Sequence, residues 1–171
     1  MEEILIEREG GKWVIKDNYK ELEEKGYGER EKEYLILAPY EVLYLVHIGK
    51  AKVIKDKESL SFEKLLNLIS KKDRRIVTKF LVYRDLRNRG YVVKEGFGFG
   101  SDFRVYDRGD YGLKPAKYVV LALSEGTEIP LRDLPKMVNE IYNMGKEAIL
   151  GVVERRGEVI YYKLSKANFK F

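Results

Sequence analysis

The sequence contains no cysteine and only one histidine among its 171 residues. Without cysteine the chain forms neither disulfides nor thiolate metal sites, and a single histidine argues against a structural zinc site. No apolar run approaches the roughly 18 residues that a membrane helix requires, and the acidic N-terminus does not have the composition of a signal peptide. These absences predict a cytoplasmic protein with no membrane partner.

The composition itself is that of a folded globular chain, with 44% hydrophobic and 36% charged residues. A chain of this length buries a good core as one domain or as two small ones. The net charge of +5 permits nucleic-acid binding but does not establish it, because many basic proteins bind none. Abundant lysine and glutamate without cysteine is also typical of a thermophile.

The first half of the chain predicts a small N-terminal α+β domain over residues 1–72. Two β-rich runs flank the Gly10-Gly11 pair, which has the composition of a hairpin turn. Pro39 is placed to open an apolar helix and Gly49 to end it. The other predicted elements are a short helix and a loop within 18–33, strands at 34–37 and 52–54, and a helix that Ser61 caps. The charged run at 71–75 marks the predicted domain boundary.

The second half, residues 73–171, predicts a C-terminal domain with a mixed β-sheet flanked by two helices. Its first helix begins with Asp73 as N-cap and ends at Gly90. Strands are expected at 91–93, 103–106, 118–123, 148–153 and 158–164, with the Gly96–Gly100 run as a turn. The second helix has Asp133 as its cap and an apolar face of Leu134, Met137, Val138, Ile141 and Tyr142. The order α-β-β-β-α-β-β makes the fold class α+β.

Several segments form a specific pattern when they are taken together. They are Gly90-Tyr91-Val92-Val93 after a basic helix, then a glycine-rich turn, Asp102-Phe103-Arg104-Val105-Tyr106, Tyr118-Val119-Val120, Val159-Ile160-Tyr161-Tyr162, and in the first half Pro39-Tyr40-Glu41-Val42-Leu43-Tyr44-Leu45. This set resembles the archaeal tRNA-splicing endonucleases, also called tRNA-intron endonucleases. The resemblance implies their fold and their reaction. They cut introns from precursor tRNA at a bulge–helix–bulge, without a metal or other cofactor, and leave 2′,3′-cyclic phosphate and 5′-hydroxyl ends.

That reaction needs a group that takes the 2′-OH proton, a group that protonates the leaving 5′-oxygen, and a cation near the phosphorane. In the resembling family these groups are a tyrosine, a histidine and a lysine. Tyr106 matches the tyrosine and Lys146 matches the lysine. Without the resemblance, Tyr106 would be interpreted as a packing residue at a strand end and Lys146 as a solvated lysine that closes a helix.

The histidine of the family pattern is missing, because this chain has Pro115 at that position. The arginine that usually precedes the lysine, and that holds the bulged RNA, is replaced by Gly145. The only histidine, His47, lies on an apolar helix of the first half and is interpreted as structural rather than as a relocated acid. Both departures predict a structural subunit in which Tyr106 and Lys146 are vestigial.

A structural subunit would pair with a paralogous catalytic subunit, as an α2β2 heterotetramer that acts on precursor tRNA. The last strand is apolar on both sides of the pleat, which predicts that both of its faces are covered. As the terminal strand of its sheet it is also expected to present an unpaired edge, and the resemblance implies that this strand helps to pair two subunits. The predicted interface residues are Tyr161, Tyr162 and Phe169. Two alternatives remain: a self-sufficient nuclease with a displaced general acid, and a free-standing RNA-binding protein.

The remaining cationic candidates for RNA binding are Arg84, Arg87, Arg104 and Arg108. Arg84 and Arg87 share a helix face at i, i+3 spacing. Such a set is either a solvated surface or a rim that contacts phosphates, and the solvated surface is favoured. The Gly96–Gly100 run lacks the strand-to-helix context of a phosphate loop and is interpreted as structural.

Overall fold

The computed structural model describes residues 3–98 and 101–169. The chain divides into two compact units, Met1–Arg84 and Asp85–Phe171. No helix within the described ranges is long and apolar enough to cross a membrane.

The first unit contains a six-stranded sheet with the order β3-β4-β2-β1-β5-β6. The strands are β1 (Ile4–Glu9), β2 (Lys12–Ile15), β3 (Glu29–Glu31), β4 (Tyr34–Leu37), β5 (Ala51–Lys55) and β6 (Glu58–Ser59). The predicted hairpin is confirmed, since β1 and β2 pair antiparallel and Gly10 and Gly11 between them have φ of +57° and +79°. Strand β1 also pairs in parallel with β5, and all other pairs are antiparallel. The prediction omitted β3 and β6 because their residues are polar and exposed.

Four helices begin in this unit: α1 (Lys20–Glu24), α2 (Pro39–His47), α3 (Phe62–Ser70) and α4 (Ile76–Asn88). Pro39 opens α2 as predicted, and Oγ of Ser61 accepts from the backbone N–H of Lys64 at 3.3 Å, which confirms it as the cap of α3. Asp73 is not the N-cap of α4, which begins at Ile76. Its carboxylate caps the preceding turn instead, where Oδ1 accepts from the N–H of Arg75 at 2.9 Å.

Glu41 joins the start of α2 to a turn of the first unit. Its side chain is 5% exposed, and its carboxylate accepts from the N–H groups of Gly28 at 2.7 Å and Ala38 at 2.9 Å. Gly28 has φ of +67°, and a Cβ there would lie 2.8 Å from the carbonyl oxygen of Ile36. Glycine at this position therefore allows both the left-handed backbone and the close approach of the sheet.

The second unit contains a five-stranded sheet with the order β11-β10-β9-β8-β7. Its strands are β7 (Val92–Gly98), β8 (Ser101–Tyr106), β9 (Tyr118–Ser124), β10 (Glu147–Val153) and β11 (Val159–Leu164), and helix α5 (Asp133–Asn143) connects β9 to β10. Strands β9 and β10 are parallel and the other pairs are antiparallel. The predicted order of elements and the α+β class are confirmed. One face of the sheet packs on α5 through Val119, Ile141 and Ala148.

Three local predictions in this unit need correction. Strand β7 continues through Gly98 with a register shift after Glu95, so the Gly96–Gly100 run is not simply a turn. Phe99 and Gly100 lie outside the described residues. Asp133 is the first residue of α5 rather than its cap, and Tyr142 is 77% exposed rather than part of the apolar face. The predicted apolar face of α5 was therefore too wide, because Met137 and Ile141 pack on the sheet and Tyr142 does not.

Candidate functional site

Lys146 lies between the end of α5 and the start of β10, where Gly145 has φ of +72° and ends the helix. The Lys146 ammonium donates to the carbonyl oxygen of Ala116 at 2.6 Å and lies 5.6 Å from the ring centroid of Phe97. Ala116 directly follows Pro115. The structure therefore places the side chain of Lys146 beside the segment where the resembling family has its histidine.

Tyr106 is the last residue of β8 and is half-buried. Its ring packs edge-on against Tyr111, with centroids 5.0 Å apart. The loop after Tyr106 is closed at its base, because the N–H of Lys117 donates to the carbonyl oxygen of Val105 at 2.9 Å. Tyr106 and the residue after Pro115 thus lie at the two ends of one closed loop.

Strand register brings the predicted positions together at one end of the three central strands, β8, β9 and β10. Tyr118 pairs with Val105 of β8 on one side and with Glu147 of β10 on the other. Tyr106 directly follows Val105 along the chain, and Lys146 directly precedes Glu147. Tyr106 and Lys146 therefore both lie near the segment that follows Pro115.

Pro115 is exposed, and it has neither a titratable group nor an N–H. The nearest charged side chains along the chain are Lys114, whose Nζ lies 4.0 Å from Asp110, and Lys117, whose Nζ lies 3.7 Å from Asp107. A hydrogen bond with Tyr118 and the negative charge of Asp107 raise the pKa of Lys117 above its ordinary value. Lys117 therefore holds its proton more firmly than a free lysine does.

Two residues near Tyr106, Lys94 and Tyr111, could not be identified from the sequence pattern. Lys94 on β7 is only 6% exposed, and its ammonium lies 5.7 Å from the ring centroid of Tyr111. A lysine in a strand is ordinarily assigned to the solvent face, so its burial was not predicted. Tyr111 lies in the loop after β8 and contacts both Lys94 and Tyr106 through its ring.

The predicted cationic residues have contacts within the chain. Arg108 donates from Nε to the carbonyl oxygen of Arg89 at 2.8 Å, and its guanidinium lies 4.8 Å from the ring centroid of Tyr91, so it closes the end of α4. The guanidinium of Arg104 lies 5.6 Å from the ring of Phe97. In the first unit, that of Arg84 lies 5.5 Å from the ring of Phe80. Arg87 is half-buried in the last turn of α4.

His47 lies in the first unit, at the C-terminal end of α2. Its ring is 5.7 Å from that of Phe62 and 5.9 Å from that of Phe80. These contacts support the structural interpretation of His47. Across residues 3–98 and 101–169, no group of three or more histidine, aspartate and glutamate side chains is arranged to hold a metal ion.

Strand β11 lies at one end of the sheet, with β10 on its inner side, as expected of an edge strand. The prediction that both of its faces are covered is wrong for this chain by itself, because Ile160 is 48% and Tyr162 is 52% exposed. Phe169, beyond the strand, is 79% exposed, and Phe171 lies outside the described residues. Tyr161 points to the other face and is half-buried.

Both halves of the chain match models of one family. Residues 76–161 match the tRNA intron endonuclease catalytic C-terminal domain, and residues 6–66 match the tRNA intron endonuclease N-terminal domain. The chain belongs to the tRNA intron endonuclease family. The resemblance of its sequence motifs to this family is thereby confirmed.

Relatives within the tRNA intron endonuclease family match over most of both chains. The tRNA-splicing endonuclease of Methanococcus vannielii is 38% identical over 151 residues, which cover 87% of this chain and 85% of the relative. That of Pyrococcus furiosus is 35% identical over 145 residues, covering 85% and 84%. That of Methanothermobacter thermautotrophicus is 36% identical over 137 residues, covering 80% and 79%.

Proposed function

We propose that this chain is a structural, non-catalytic subunit of a heteromeric tRNA-splicing endonuclease that removes introns from precursor tRNA in the cytoplasm. The observation that carries the proposal is Pro115, which stands beside Lys146 where the family has its histidine. Tyr106 and Lys146 keep their family positions without the group that would protonate the leaving oxygen, and we take them to be vestigial. In this assignment residues 1–72 form the N-terminal domain and residues 73–171 the nuclease-fold domain.

Lys117, two residues after Pro115, does not replace the missing acid well. A general acid works best when its pKa lies near the working pH, so that it is protonated and still gives up its proton. Lys117 next to this position has a raised pKa, which makes it a poor proton donor at neutral pH. The displaced-acid alternative therefore has less support than the structural subunit.

The exposed sheet face beyond α5 supports pairing with a catalytic subunit. Residues that pair across strands point to the same face, so Leu121, Leu150 and Tyr162 form one row and Leu123, Val152 and Ile160 form the next. We call these six residues the β11 patch. Its members are half-buried or exposed, which is unusual for an apolar sheet face and typical of a surface that a partner covers.

The edge of β11 strengthens this argument, because soluble proteins rarely leave a sheet edge and an apolar patch bare together. A standard interface buries about 800 Å² on each partner and is anchored by aromatic residues. Tyr162 and Phe169 are suited to be such anchors. An α2β2 assembly in which β11 joins this chain to a catalytic paralogue would use both features.

Cleavage of a bulge–helix–bulge RNA tests the proposal. The chain alone should not cut, and it should restore cleavage to a family member that has histidine at the Pro115 position and is inactive alone. Specific cuts at both splice sites by this chain alone would establish the self-sufficient nuclease instead. RNA binding without any effect on a catalytic partner would identify a free-standing RNA-binding protein.

A further inference from the structure

The first unit contains a cavity of about 300 Å³ that no catalytic position uses. Its walls are apolar and come from β2, β5, α3, the start of α2 and the segment before α3. The lining residues include Trp13, Pro39, Val53, Leu60, Leu68 and Ile69. This volume is at the lower end of the range for small-molecule sites. All lining residues lie before residue 74, so the cavity is built from the first unit by itself.

Three cationic side chains surround the mouth of this cavity: Arg8, Lys55 and Lys72. All three are exposed, and none forms an ion pair with another residue of the described chain. Other lysines of the same sheet are paired: Lys52, also on β5, lies 2.6 Å from Glu3, and Lys12 lies 2.9 Å from Glu31. The three positive charges at the mouth are therefore not compensated by nearby carboxylates, whereas Lys52 and Lys12 on the same sheet are.

The single carboxylate in the lining, Asp73, does not balance these charges. Its Oδ2 accepts from Nζ of Lys79 at 2.9 Å and its Oδ1 from the N–H of Arg75 at 2.9 Å. Partial burial opposes ionisation of Asp73, but these two hydrogen bonds outweigh it and lower the pKa of the carboxyl. Its charge is thus already committed to Lys79.

An apolar cavity with a cationic mouth fits a ligand that joins a flat apolar body to an anion. We propose that this cavity binds one unpaired nucleotide of an RNA, with the base among the apolar side chains and the phosphates facing Arg8, Lys55 and Lys72. The inference rests on the proposed function, because it takes RNA as the molecule that this chain meets. Proteins that bind single-stranded RNA combine apolar or aromatic base contacts with a positively charged path for the backbone in this way.

The arrangement of Arg8 agrees with this assignment. Its guanidinium lies 4.5 Å from the ring centroid of Trp13, and both residues line the cavity. A guanidinium fixed by such stacking is suited to phosphate, which it binds with two parallel hydrogen bonds. An acidic peptide would satisfy the charge, but its carboxylates do not carry a flat ring that fills the apolar part.

Trp13 allows a direct test, because it is the only tryptophan in the chain and lines the cavity. Titration of the full chain with a short single-stranded oligoadenylate should change the tryptophan fluorescence saturably, and added salt should weaken the binding. Adenosine 5′-monophosphate should compete, whereas adenosine and inorganic phosphate should each compete at least about tenfold less well, since each supplies half of the contacts. Equal competition by an acidic peptide would overturn the proposal.

Charge-removing variants locate the site. Lys55→Gln with Lys72→Gln should weaken oligoadenylate binding about fivefold or more, as expected when two phosphate contacts are lost. The matched control is Lys57→Gln with Lys64→Gln, which removes the same charge from exposed lysines outside the lining. Equal weakening in both pairs, or an unsaturable signal, would overturn the site. Because this titration uses the chain alone, its failure leaves the cleavage test of the structural subunit unaffected.

Discussion

The phenol of Tyr161 on β11 donates a 2.7 Å hydrogen bond to Oδ2 of Asp85 on α4. The same carboxylate accepts from Nε of Arg89 at 2.9 Å, and the guanidinium of Arg89 lies 5.8 Å from the Tyr161 ring. Burial raises the pKa of Tyr161, and the hydrogen bond to Asp85 and the charge of Asp85 raise it further. Tyr161 therefore attaches the edge strand to α4, while Tyr162 faces the opposite way.

Tyr161→Phe should destabilise the second unit by about 1–2 kcal/mol at pH 7, because it removes a hydrogen bond to a charged group. The raised pKa means that the folded state holds the phenolic proton more tightly than the unfolded state. This stability is fully present below about pH 10 and is lost as the pH rises further. The advantage of the unsubstituted chain should shrink in that range. Urea unfolding of the two chains at pH 7 and above pH 10 measures this difference in the free energy of unfolding.

Tyr162→Phe is the matched control for that measurement, since Tyr162 is 52% exposed. It should change the free energy of unfolding by no more than about 0.5 kcal/mol. An equal loss in the two variants would contradict the assignment of a structural role to the Tyr161 hydroxyl.

In the assembled endonuclease, Tyr106→Phe and Lys146→Ala in this chain should leave turnover within about threefold of the unsubstituted complex. A working acid–base group contributes about 10²–10⁴. Single-turnover cleavage of a bulge–helix–bulge RNA gives the rate. The same changes at the matching positions of the catalytic partner provide the positive control. A hundredfold loss from this chain, with assembly intact, would make these residues catalytic.

Ile160→Lys with Tyr162→Lys should weaken pairing with the catalytic subunit at least about tenfold, because it places two charges in the β11 patch. Phe169→Lys should have a smaller effect in the same direction. Light scattering on the mixed subunits detects the complex, and circular dichroism checks the fold. Leu113→Lys, at a loop residue that is 83% exposed, is the control. A complex of unchanged affinity would place the interface elsewhere.

Asp73→Asn should destabilise the first unit by about 1 kcal/mol at neutral pH, because it weakens the turn cap and the contact with Lys79. The lowered pKa makes this contribution present above about pH 4 and lost as the pH falls below that value. The difference between the two chains should therefore vanish in acid. Asp56→Asn, in an exposed turn at φ of +51° that asparagine also tolerates, should have little effect.

The order of elements was largely predictable because apolar periodicity, proline and glycine mark most of their limits. Gly10-Gly11 and Gly90 adopt positive φ where a turn or a helix end requires it. The strands that were missed, β3 and β6, bury no side chain, and their backbone pairing with β4 and β5 leaves no apolar pattern in the sequence. Nothing in a residue pattern reports such pairing.

The candidate site was predictable in part, for a different reason. Tyr106, Pro115 and Lys146 were found by resemblance to family motifs. Strand register then places the segments that carry them at one end of the central strands. The burial of Lys94 and the direction of Tyr161 depend on contacts between distant segments, Lys94 with Tyr111 and Tyr161 with Asp85. The alternation of residues along a strand shows that a face is apolar. It does not show whether a helix of the same chain or a partner subunit covers that face.

The parallel pairing of β1 with β5 sets an order for events on the ribosome. Strands β2, β3 and β4 join β1 through antiparallel pairs within residues 4–37, so this part of the sheet forms from the first part of the chain to be synthesised. The other edge of β1 remains open until residues Ala51–Lys55 emerge and occupy it. During that interval nascent chains on neighbouring ribosomes expose complementary backbone edges to one another, which makes this period the most vulnerable to co-translational aggregation.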